Sequence, residues 1–499
     1  MLMTAELLLH HQRCKRKTFL DTHGDLRARD VPSDLLLKLQ QDKTAHQKNV
    51  LAQQSYHQPD YPKGNWDDGA KATIRLMQQG VGCIRKGVLL AHIEPTGEIG
   101  SSSTPSSVML VSRPDLLIKQ PGQSCFGDWI YVPAQIELGK RPKLEYQIVA
   151  AYNVQVLAHV QIAEPETAWL LLRRKQAYAV NLSKSMPQMQ RVLEECIQTI
   201  RSPQAPDLFI ARQRCSLCRW YSYCYAIAKS QQHLSLLPGV TPSRYAQLQA
   251  LDLTSVESLA NASPAELEPV FGYKIGQQLV LQAQSVVEKR PILCAVPLLP
   301  LPPPSLPPSP IELYFDIEAE PDLNLDYLLG VLVIDRETKT EKFHSLLAKQ
   351  SEDEELIWQQ FLDLVWQYPL APIFHFCSYE VDTVKRLANL YHTPQERIRP
   401  LLKRFVDVYE QVTQTVVLPV ESYALKSIAR WLSFEWRDPQ ANGSQCIYWY
   451  NQWLETGDRT FLNTIQLYNE DDCRATRHVK DWLVNFTGYR RESPSLAME

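Results

Sequence analysis

The sequence lacks any apolar run that approaches the roughly 18 residues needed for a membrane-spanning helix. Its first residues, Met1–His11, lead into the basic stretch Arg13–Lys17 without a signal-peptide cleavage site. It also lacks a glycine-rich loop of the type that binds nucleoside triphosphates, which argues against a helicase. We therefore expect a cytoplasmic protein without a membrane partner.

The chain has little net charge, −3 over 499 residues, but its charges are unevenly distributed. Residues 1–230 carry 29 Lys and Arg against 20 Asp and Glu, a balance of +9. Residues 231–310 carry 4 against 5, and residues 311–499 carry 19 against 30, a balance of −11. A basic front half suits the binding of a polyanion. The length and the 44% of apolar residues allow two or three folded domains and exclude a disordered tail protein.

Both ends of the chain have the pattern of α/β domains, one at 1–230 and one at 311–499. Helices of the first domain are predicted at residues 35–53, 70–79, 146–162 and 185–201, and strands at 87–92, 108–112, 116–119 and 131–138. The second domain begins with two apolar strands, Glu312–Ile317 and Leu328–Asp335, and ends with a helix around Ile465–Phe486. A multidomain α/β protein is the expected fold class.

The clearest domain boundary is the segment 291–310, which contains nine prolines. Proline at this density disfavours helices and interior strands, so we expect an extended linker. Before it, residues 231–290 contain short predicted helices around two glycine turns, Leu237–Thr241 and Phe271–Gly276. These turns resemble a pair of helix-hairpin-helix units, whose backbone N–H groups would contact DNA phosphates. A small helical connector without that role is the alternative.

The eleven cysteines are an odd number, and in an intracellular chain they indicate thiols or metal ligands before disulfides. Cys215, Cys218 and Cys224 lie within ten residues, and thiolates at such spacing can bind one metal or cluster. A fourth ligand must come from elsewhere, and Cys14 is the candidate. This layout resembles the RecB-like nucleases, which have a restriction-endonuclease-like fold and a 4Fe-4S cluster that joins the two ends of the domain. A four-cysteine zinc site is the alternative.

The RecB-like resemblance implies a metal site made by an acid on one strand and an acid-x-Lys pair on the next. Asp115 would be the first acid, and His46 would be the helical histidine that completes the site. The next strand departs from the family pattern, because the acid falls on Gln135 and the lysine on Glu137. The family's Gln-x3-Tyr motif would place glutamine at position 148, where this sequence has isoleucine. We therefore predict that this domain binds nucleic acid without efficient cleavage, although Asp115 and Glu137 could still hold a metal.

The strongest catalytic pattern lies in the acidic half of the chain. Asp316 and Glu318 alternate along an apolar strand, so both carboxylates point to one face. Glu380 follows a second strand at the start of a helix, and Tyr468 and Asp472 are four residues apart on one face of the last helix. Three neighbouring acids are interpreted as solvated: Glu320, Glu470 and Asp471. A further acid, Asp407, either supports the site or is an ordinary strand-end acid.

The order Asp-x-Glu, Tyr-Glu, Tyr-x3-Asp resembles the DEDD exonucleases of the DnaQ-like, RNase H-like superfamily, with YprB-type domains as the nearest look-alikes. The resemblance covers roughly residues 311–487. It implies that Asp316, Glu318, Glu380 and Asp472 hold two divalent ions, Mg²⁺ or Mn²⁺. Tyr468 would orient the attacking water. Glutamate replaces the family's usual aspartate at position 380, which is expected to alter the position of the second ion.

The whole chain resembles bacterial two-part nucleases, in which a RecB-like domain precedes an RNase H-like exonuclease domain. We predict an exonuclease that hydrolyses single-stranded ends or flaps, DNA before RNA, in the 3′→5′ direction. Catalysis would lie in residues 311–499, residues 1–230 would grip the nucleic acid, and a helicase or other DNA repair protein would be a partner. Two alternatives remain: the N-terminal domain is the active nuclease, or the chain is a DNA-binding scaffold without catalysis.

Overall fold

The computed structural model describes residues 1–52, 54–94, 107–173, 177–294 and 309–492. The chain folds into two compact units. We call Met1–Tyr225 the N-terminal unit and Ala226–Glu499 the C-terminal unit. Across the described residues, no helix is both long enough and apolar enough to cross a membrane.

The N-terminal unit mixes short strands with longer helices. Its strands are β1 (Leu2–Thr4), β2 (Cys83–Arg85), β3 (Leu89–Ile93), β4 (Val108–Ser112), β5 (Leu116–Ser124), β6 (Gly127–Glu137), β7 (Trp169–Leu172) and β8 (Tyr178–Ala179). Its helices are α1 (Ala5–Arg13), α2 (Lys15–His23), α3 (Asp34–Leu51), α4 (Trp66–Gln78), α5 (Leu144–Gln161), α6 (Leu182–Arg201), α7 (Arg212–Cys215) and α8 (Tyr221–Ser230). The last five residues of α8 belong to the C-terminal unit.

Two sheets of the N-terminal unit are arranged around the apolar helix α5. One sheet has the strand order β1-β4-β3 and the other the order β2-β5-β6-β7-β8. α5 is buried along most of its length, as expected for a helix with apolar residues on all sides. The Tyr152 Oη lies 2.7 Å from the Met3 carbonyl oxygen and 3.2 Å from that of Val111. These contacts tie α5 to β1 and β4, two neighbouring strands of the three-stranded sheet.

The C-terminal unit contains four helices, then a mixed sheet with helices around it. Its strands are β9 (Ile292–Leu293), β10 (Ile311–Glu320), β11 (Leu325–Asp335), β12 (Thr340–Leu347), β13 (Ile373–His375), β14 (Phe405–Asp407) and β15 (Val416–Val417). Its helices are α9 (Pro242–Ala250), α10 (Val256–Ala260), α11 (Pro264–Phe271), α12 (Tyr273–Glu288), α13 (Glu354–Trp366), α14 (Tyr379–Leu390), α15 (Gln395–Leu402), α16 (Val408–Thr415), α17 (Leu425–Trp431), α18 (Gly443–Thr456) and α19 (Arg459–Glu492).

The main sheet of this unit has the strand order β12-β11-β10-β13-β14, with β10 at its centre. β10 is antiparallel to β11 and parallel to β13. Alternate residues of β10 enter two different cores, with Leu313 and Phe315 in one and Tyr314 in the other. Because β10, β13 and β14 are parallel, their carboxyl ends meet at one edge of the sheet. This edge is where open α/β sheets commonly place functional groups.

The helices α9–α12 pack against the sheet domain that follows them, within the same unit. The Gln282 Nε2 donates a 2.7 Å hydrogen bond to the Leu418 carbonyl oxygen, and β9 pairs with β15. Gly239 and Gly272, in the two predicted glycine turns, have positive φ values of 84° and 76°. The predicted linker over 291–310 differs from the structure at its start, because Ile292–Leu293 forms β9 despite the preceding proline. Residues 295–308 of that linker lie outside the described residues.

Candidate active site

Asp316 and Glu318 lie side by side near the carboxyl end of β10, and both face α19. One carboxylate oxygen from each, together with one from Asp472 on α19, form a group in which all atoms lie within 4.8 Å of one another. The β10–β11 pairing shifts register directly after Glu318, which marks a β-bulge. The strand therefore presents the two acids on one face and then changes direction.

Helix α19 approaches this face closely because position 330 is a glycine. Gly330 on β11 pairs directly with Asp316, and a Cβ atom there would lie 1.7 Å from the Asn469 Oδ1. The Asn469 Nδ2 donates a 2.6 Å hydrogen bond to the Asp316 Oδ2. Asn469 and Asp472 are three residues apart and share a face of α19. The missing side chain at Gly330 thus allows α19 to deliver both groups to β10.

The three clustered carboxyl groups have raised pKa values. Burial is the first cause for each of them. For Asp316, the Asp472, Glu318 and Glu380 carboxylates add to the effect, and for Glu318 the Asp472 carboxylate does. Burial raises the pKa of Asp472 to about 7, against opposing hydrogen bonds from Trp436 and Tyr468. Such mutual repulsion is relieved when a divalent cation binds between the oxygens.

Glu380 begins α14 at the same edge of the sheet, but it is not part of the group of three. Burial raises its pKa, and its Oε2 has no hydrogen-bond partner within the part of the chain that the structure describes. The His375 Nδ1 lies 3.5 Å from this oxygen and 2.6 Å from the Cys377 carbonyl oxygen. Cys377 has a positive φ of 77°, a strained conformation that often occurs at functional sites. A buried acid with an unpartnered oxygen beside the cluster fits a ligand of a second ion.

The position of Asp407 is explained by helix capping. Its Oδ1 accepts hydrogen bonds from the backbone N–H groups of Cys377, Tyr409 and Glu410, at 3.0, 2.9 and 3.3 Å. It therefore caps α16 and also anchors the strained turn that leads to Glu380. Of the two interpretations of Asp407, the geometry favours a supporting role through this turn.

Four side chains that the sequence did not indicate surround the carboxylates. The Trp436 Nε1 donates a 2.7 Å hydrogen bond to the Asp472 Oδ1. The Lys426 Nζ lies 5.3 Å from the Trp436 ring centre and 5.6 Å from that of Tyr468, and its charge opposes the raised pKa of Asp472. The Cys446 thiol on α18 is buried and hydrogen-bonded to Glu318. Asn469 is the fourth. Asn469 shares a helix face with Asp472 at a spacing of three residues, whereas tertiary packing alone brings the other three to the site.

The neighbouring acids that were expected to be solvated are in part buried. Glu320 is 3% exposed and Asp471 is 4% exposed, so that expectation is wrong for both. The Asn451 Nδ2 donates a 2.5 Å hydrogen bond to Glu320. The Arg437 Nε donates to Asp471 at 2.8 Å, and its backbone N–H donates to the same carboxylate at 2.9 Å. Burial of these acids is thus offset by hydrogen bonds rather than by water.

In the N-terminal unit, Asp115 and Glu137 also come together in a buried environment. Burial is the first cause of a raised pKa for both, and the charge of Asp115 contributes to the raised pKa of Glu137. Two side chains of α3 contact the pair: the Lys43 Nζ lies 3.1 Å from the Glu137 Oε2, and the Gln47 Nε2 donates to Asp115 at 2.9 Å. The Ile136 backbone N–H donates to the other Asp115 oxygen at 2.8 Å. Each acid therefore already has a donor or a cation.

The other predicted residues of this second site have different contacts. The His46 Nε2 lies 3.4 Å from the Leu171 carbonyl oxygen. The Gln135 Oε1 accepts a 2.8 Å hydrogen bond from Asn153. Ile148, at the position of the family's glutamine, is 3% exposed within the apolar core. Only Asp115 and Glu137 of the predicted set face each other as potential metal ligands.

The four predicted cysteine ligands approach one another although Cys14 is about 200 residues from the other three. The pKa values of Cys215, Cys218 and Cys224 are raised by burial first, and the Cys14 thiol adds to the rise in each case. Basic groups lie close, because Arg16 hydrogen-bonds to Cys224 and the charge of Lys17 acts on Cys218. Cationic neighbours favour thiolates, which are the form that binds metal.

The two candidate groups, a zinc ion and an iron–sulfur cluster, require different distances between the sulfur atoms. Among the described residues, no three of the four sulfurs lie within 4.8 Å of one another. Sulfurs around a single zinc ion, each about 2.3 Å from it, would lie closer together than that. An iron–sulfur cluster binds each cysteine through a different iron atom and so holds the sulfurs farther apart. For the metal-free positions of the four sulfurs, the 4Fe-4S cluster and the four-cysteine zinc site both stay predictions.

Comparison with known families identifies the fold of the C-terminal part. Residues 313–484 match the family model RNase_H_2 of the RNase H superfamily. This range contains all but the first two residues of β10, and it contains all five residues of the predicted catalytic set. The C-terminal domain is therefore an RNase H-like domain, a class that is consistent with a metal-dependent nuclease and with nucleic-acid binding. No curated protein matches the chain.

Proposed function

We propose that the protein is a metal-dependent exonuclease whose active site is the carboxylate cluster of the C-terminal unit. The observation that supports this most directly is the convergence of oxygens from Asp316, Glu318 and Asp472 within 4.8 Å of one another. Oxygen ligands of this kind suit Mg²⁺ or Mn²⁺. Glu380, with its unpartnered oxygen, would complete the ligand set for a second ion.

The roles of the residues follow from their contacts. Two divalent ions, when bound, activate a water molecule and stabilise the leaving oxygen of a phosphodiester. Asp316 and Glu318 on β10 and Asp472 on α19 would supply carboxylate ligands to these ions. The Tyr468 hydroxyl, hydrogen-bonded to Asp472, is placed to orient the attacking water. The Lys426 ammonium adds positive charge beside the site, where it can stabilise the anionic phosphate.

Single-stranded ends of DNA, degraded 3′→5′, are the substrate that we propose. The basic balance of residues 1–230 would supply much of the grip on the polyanion, since the acidic C-terminal part depends on metal ions before it can bind phosphate. The four cysteines would hold a 4Fe-4S cluster that joins the two ends of a RecB-like N-terminal domain. The turn at Gly272 would add a contact to the DNA backbone.

The test is a cleavage assay on single strands labelled at the 3′ or 5′ end, as DNA and as RNA, with Mg²⁺ or Mn²⁺. Asp316→Asn should lower the rate on the order of 1,000-fold, because it removes a ligand oxygen charge worth several kcal/mol to the transition state. Asp382→Asn is the matched control, since this acid on α14 is 68% exposed and should leave the rate unchanged. Equal activity of Asp316→Asn and the wild type would contradict the proposal.

A second candidate function is nuclease activity at the Asp115–Glu137 pair. It is favoured by one observation, the two buried facing carboxyl groups with Lys43 3.1 Å from Glu137. In the same assay, the Asp115→Asn variant distinguishes cutting at this pair from cutting at the carboxylate cluster of the C-terminal unit. If only Asp115→Asn abolishes cutting, the chemistry lies in the N-terminal unit. If no condition gives cutting while binding persists, the protein is a nucleic-acid-binding scaffold.

A further inference from the structure

A cleft of about 260 Å³ lies at the β12 edge of the RNase H-like domain, apart from the carboxylate cluster. Six of its lining side chains carry nitrogen donors: Lys349, Gln360, Trp453, Arg459, Asn463 and Gln466. The cleft has no Asp or Glu in its lining, although residues 311–499 have a charge balance of −11. A depression that collects donors and cations in an acidic domain is suited to an anion.

The two cations of the cleft are free to receive such an anion. Both side chains are exposed, and among the described residues no ion pair or side-chain hydrogen bond is found for the Lys349 Nζ or the Arg459 guanidinium. The Trp453 Nε1 is buried behind the lining of the cleft, and it has no acceptor in the described part of the chain. A buried N–H without a partner costs free energy unless a ligand or water satisfies it.

The cleft and the carboxylate cluster share the same elements and the same face of the sheet. Ser345 pairs with Gly330, which pairs with Asp316, so the cleft lies two strands, about 10 Å, from the cluster. The Gln466 Nε2 donates to the Ser345 Oγ at 2.7 Å, one turn before the Asn469 contact to Asp316. α19 thus links the two sites directly.

The distance along α19 between the two sites determines how many nucleotides a strand needs to reach the cleft. With a rise of 1.5 Å per residue, Gln466 lies about 9 Å and Arg459 about 20 Å along the helix from Asp472. A stacked strand advances about 3.4 Å per nucleotide, so these distances correspond to about three to six nucleotides. A strand held at the carboxylates could place one of its phosphates in the cleft only when it exceeds about three nucleotides.

We propose that this cleft binds a backbone phosphate of the nucleic-acid strand, about three to six nucleotides from the bond that is cut. The proposal rests on the proposed nuclease function, because it assumes that the end of the strand lies at the carboxylate cluster. Binding of the phosphate in the cleft does not itself require cutting. Lys349 and Arg459 supply the charge, and the side-chain amides of Gln360 and Asn463 supply hydrogen bonds.

The experiment measures the affinity of the full chain for fluorescent single-stranded DNA of 12 and of 3 nucleotides, in Ca²⁺ at several salt concentrations. The variant K349A/R459A is compared with R399A/K403A, which removes the same two charges from an exposed part of α15 and its C-cap. Loss of two phosphate contacts should lower the slope of log K against log salt by about 1.4 and weaken 12-mer binding about 25-fold at 0.1 M salt. The 3-mer should bind both variants equally.

Several results would overturn the proposal. If both double variants lose the same affinity for the 12-mer, the effect is one of net charge and not of the cleft. If K349A/R459A loses the same affinity for the 3-mer as for the 12-mer, binding does not depend on strand length as proposed. If K349A/R459A loses only inorganic phosphate or a nucleoside monophosphate and keeps the 12-mer, the cleft serves a small free anion instead. Unchanged cutting by Asp316→Asn, with the 12-mer loss retained, would refute the proposed function and leave the cleft inference standing.

Discussion

At the scale of single residues, Gly330 controls how closely β11 and α19 approach each other. Because glycine has no side chain, there is room for the Asn469 Oδ1 next to it. A Cβ atom at this position would lie only 1.7 Å from that oxygen. The nearest atoms belong to the Asn469 and Phe343 side chains, and the Asn469 side chain cannot move away without disturbing its hydrogen bond to Asp316. A glycine in a strand interior is normally unfavourable, and close approach is the reason for it at this position.

Gly330→Ala should therefore destabilise the protein by about 2 kcal/mol or more and lower cleavage sharply, since it overpacks the contact and displaces α19. Gly443→Ala is the matched control, because no atom lies within 4 Å of a Cβ at that helix start. It should be neutral or stabilise by about 0.5 kcal/mol. Chemical denaturation of the two variants measures the difference. Equal stability would show that α19 is not held at this distance.

At the scale of secondary-structure elements, the carboxylate cluster makes β10 and α19 repel each other when no cation is bound. The unfolded chain releases the Asp472 proton near pH 4, whereas the folded chain retains it to about pH 7. Between these values the folded state binds more protons, so the metal-free protein loses stability as the pH rises. The raised pKa values of Asp316 and Glu318 act in the same direction.

Divalent cations should reverse this loss, because they replace the protons between the two elements. We expect Mg²⁺ or Mn²⁺ at about 100 times its Kd to raise the unfolding temperature by about 5–10 °C near pH 8, and by little near pH 5. Thermal unfolding in EDTA and in metal, at both pH values, measures this. The Asp316→Asn variant should be more stable than wild type in EDTA and should respond less to metal. A metal effect that is independent of pH would contradict the repulsion between β10 and α19.

At the scale of the whole molecule, the sequence indicated short-range features better than the contacts that complete the sites. Strand alternation placed Asp316 and Glu318 on one face, and helical spacing placed Tyr468 with Asp472, because both depend only on local geometry. Trp436 lacks such a signal, since its contact with Asp472 depends on how a loop folds over α19. The roles of the gathered residues and the RecB-like fold of the N-terminal unit stay predictions.

If the four cysteines hold a cluster, its loss should affect the stability of the N-terminal unit and leave that of the C-terminal unit unchanged. Cys14→Ser should abolish bound iron and sulfide and destabilise the N-terminal unit, because the cluster would close a loop of about 200 residues. Chain-entropy arguments for such a closure give up to about 5 kcal/mol, equivalent to a fall of about 10 °C or more in the unfolding temperature of that unit.

Cys125→Ser is the matched control, since Cys125 is an exposed thiol of the same unit. It should retain iron and unfolding temperature. Calorimetry with metal analysis measures both quantities, and the C-terminal transition and its Asp316-dependent cutting should not change in either variant. Stoichiometric zinc without sulfide would show that the four thiolates hold a single zinc ion instead of a cluster. Unchanged stability in Cys14→Ser would mean that α1, α2 and α6 hold the ends of the unit together without the cluster.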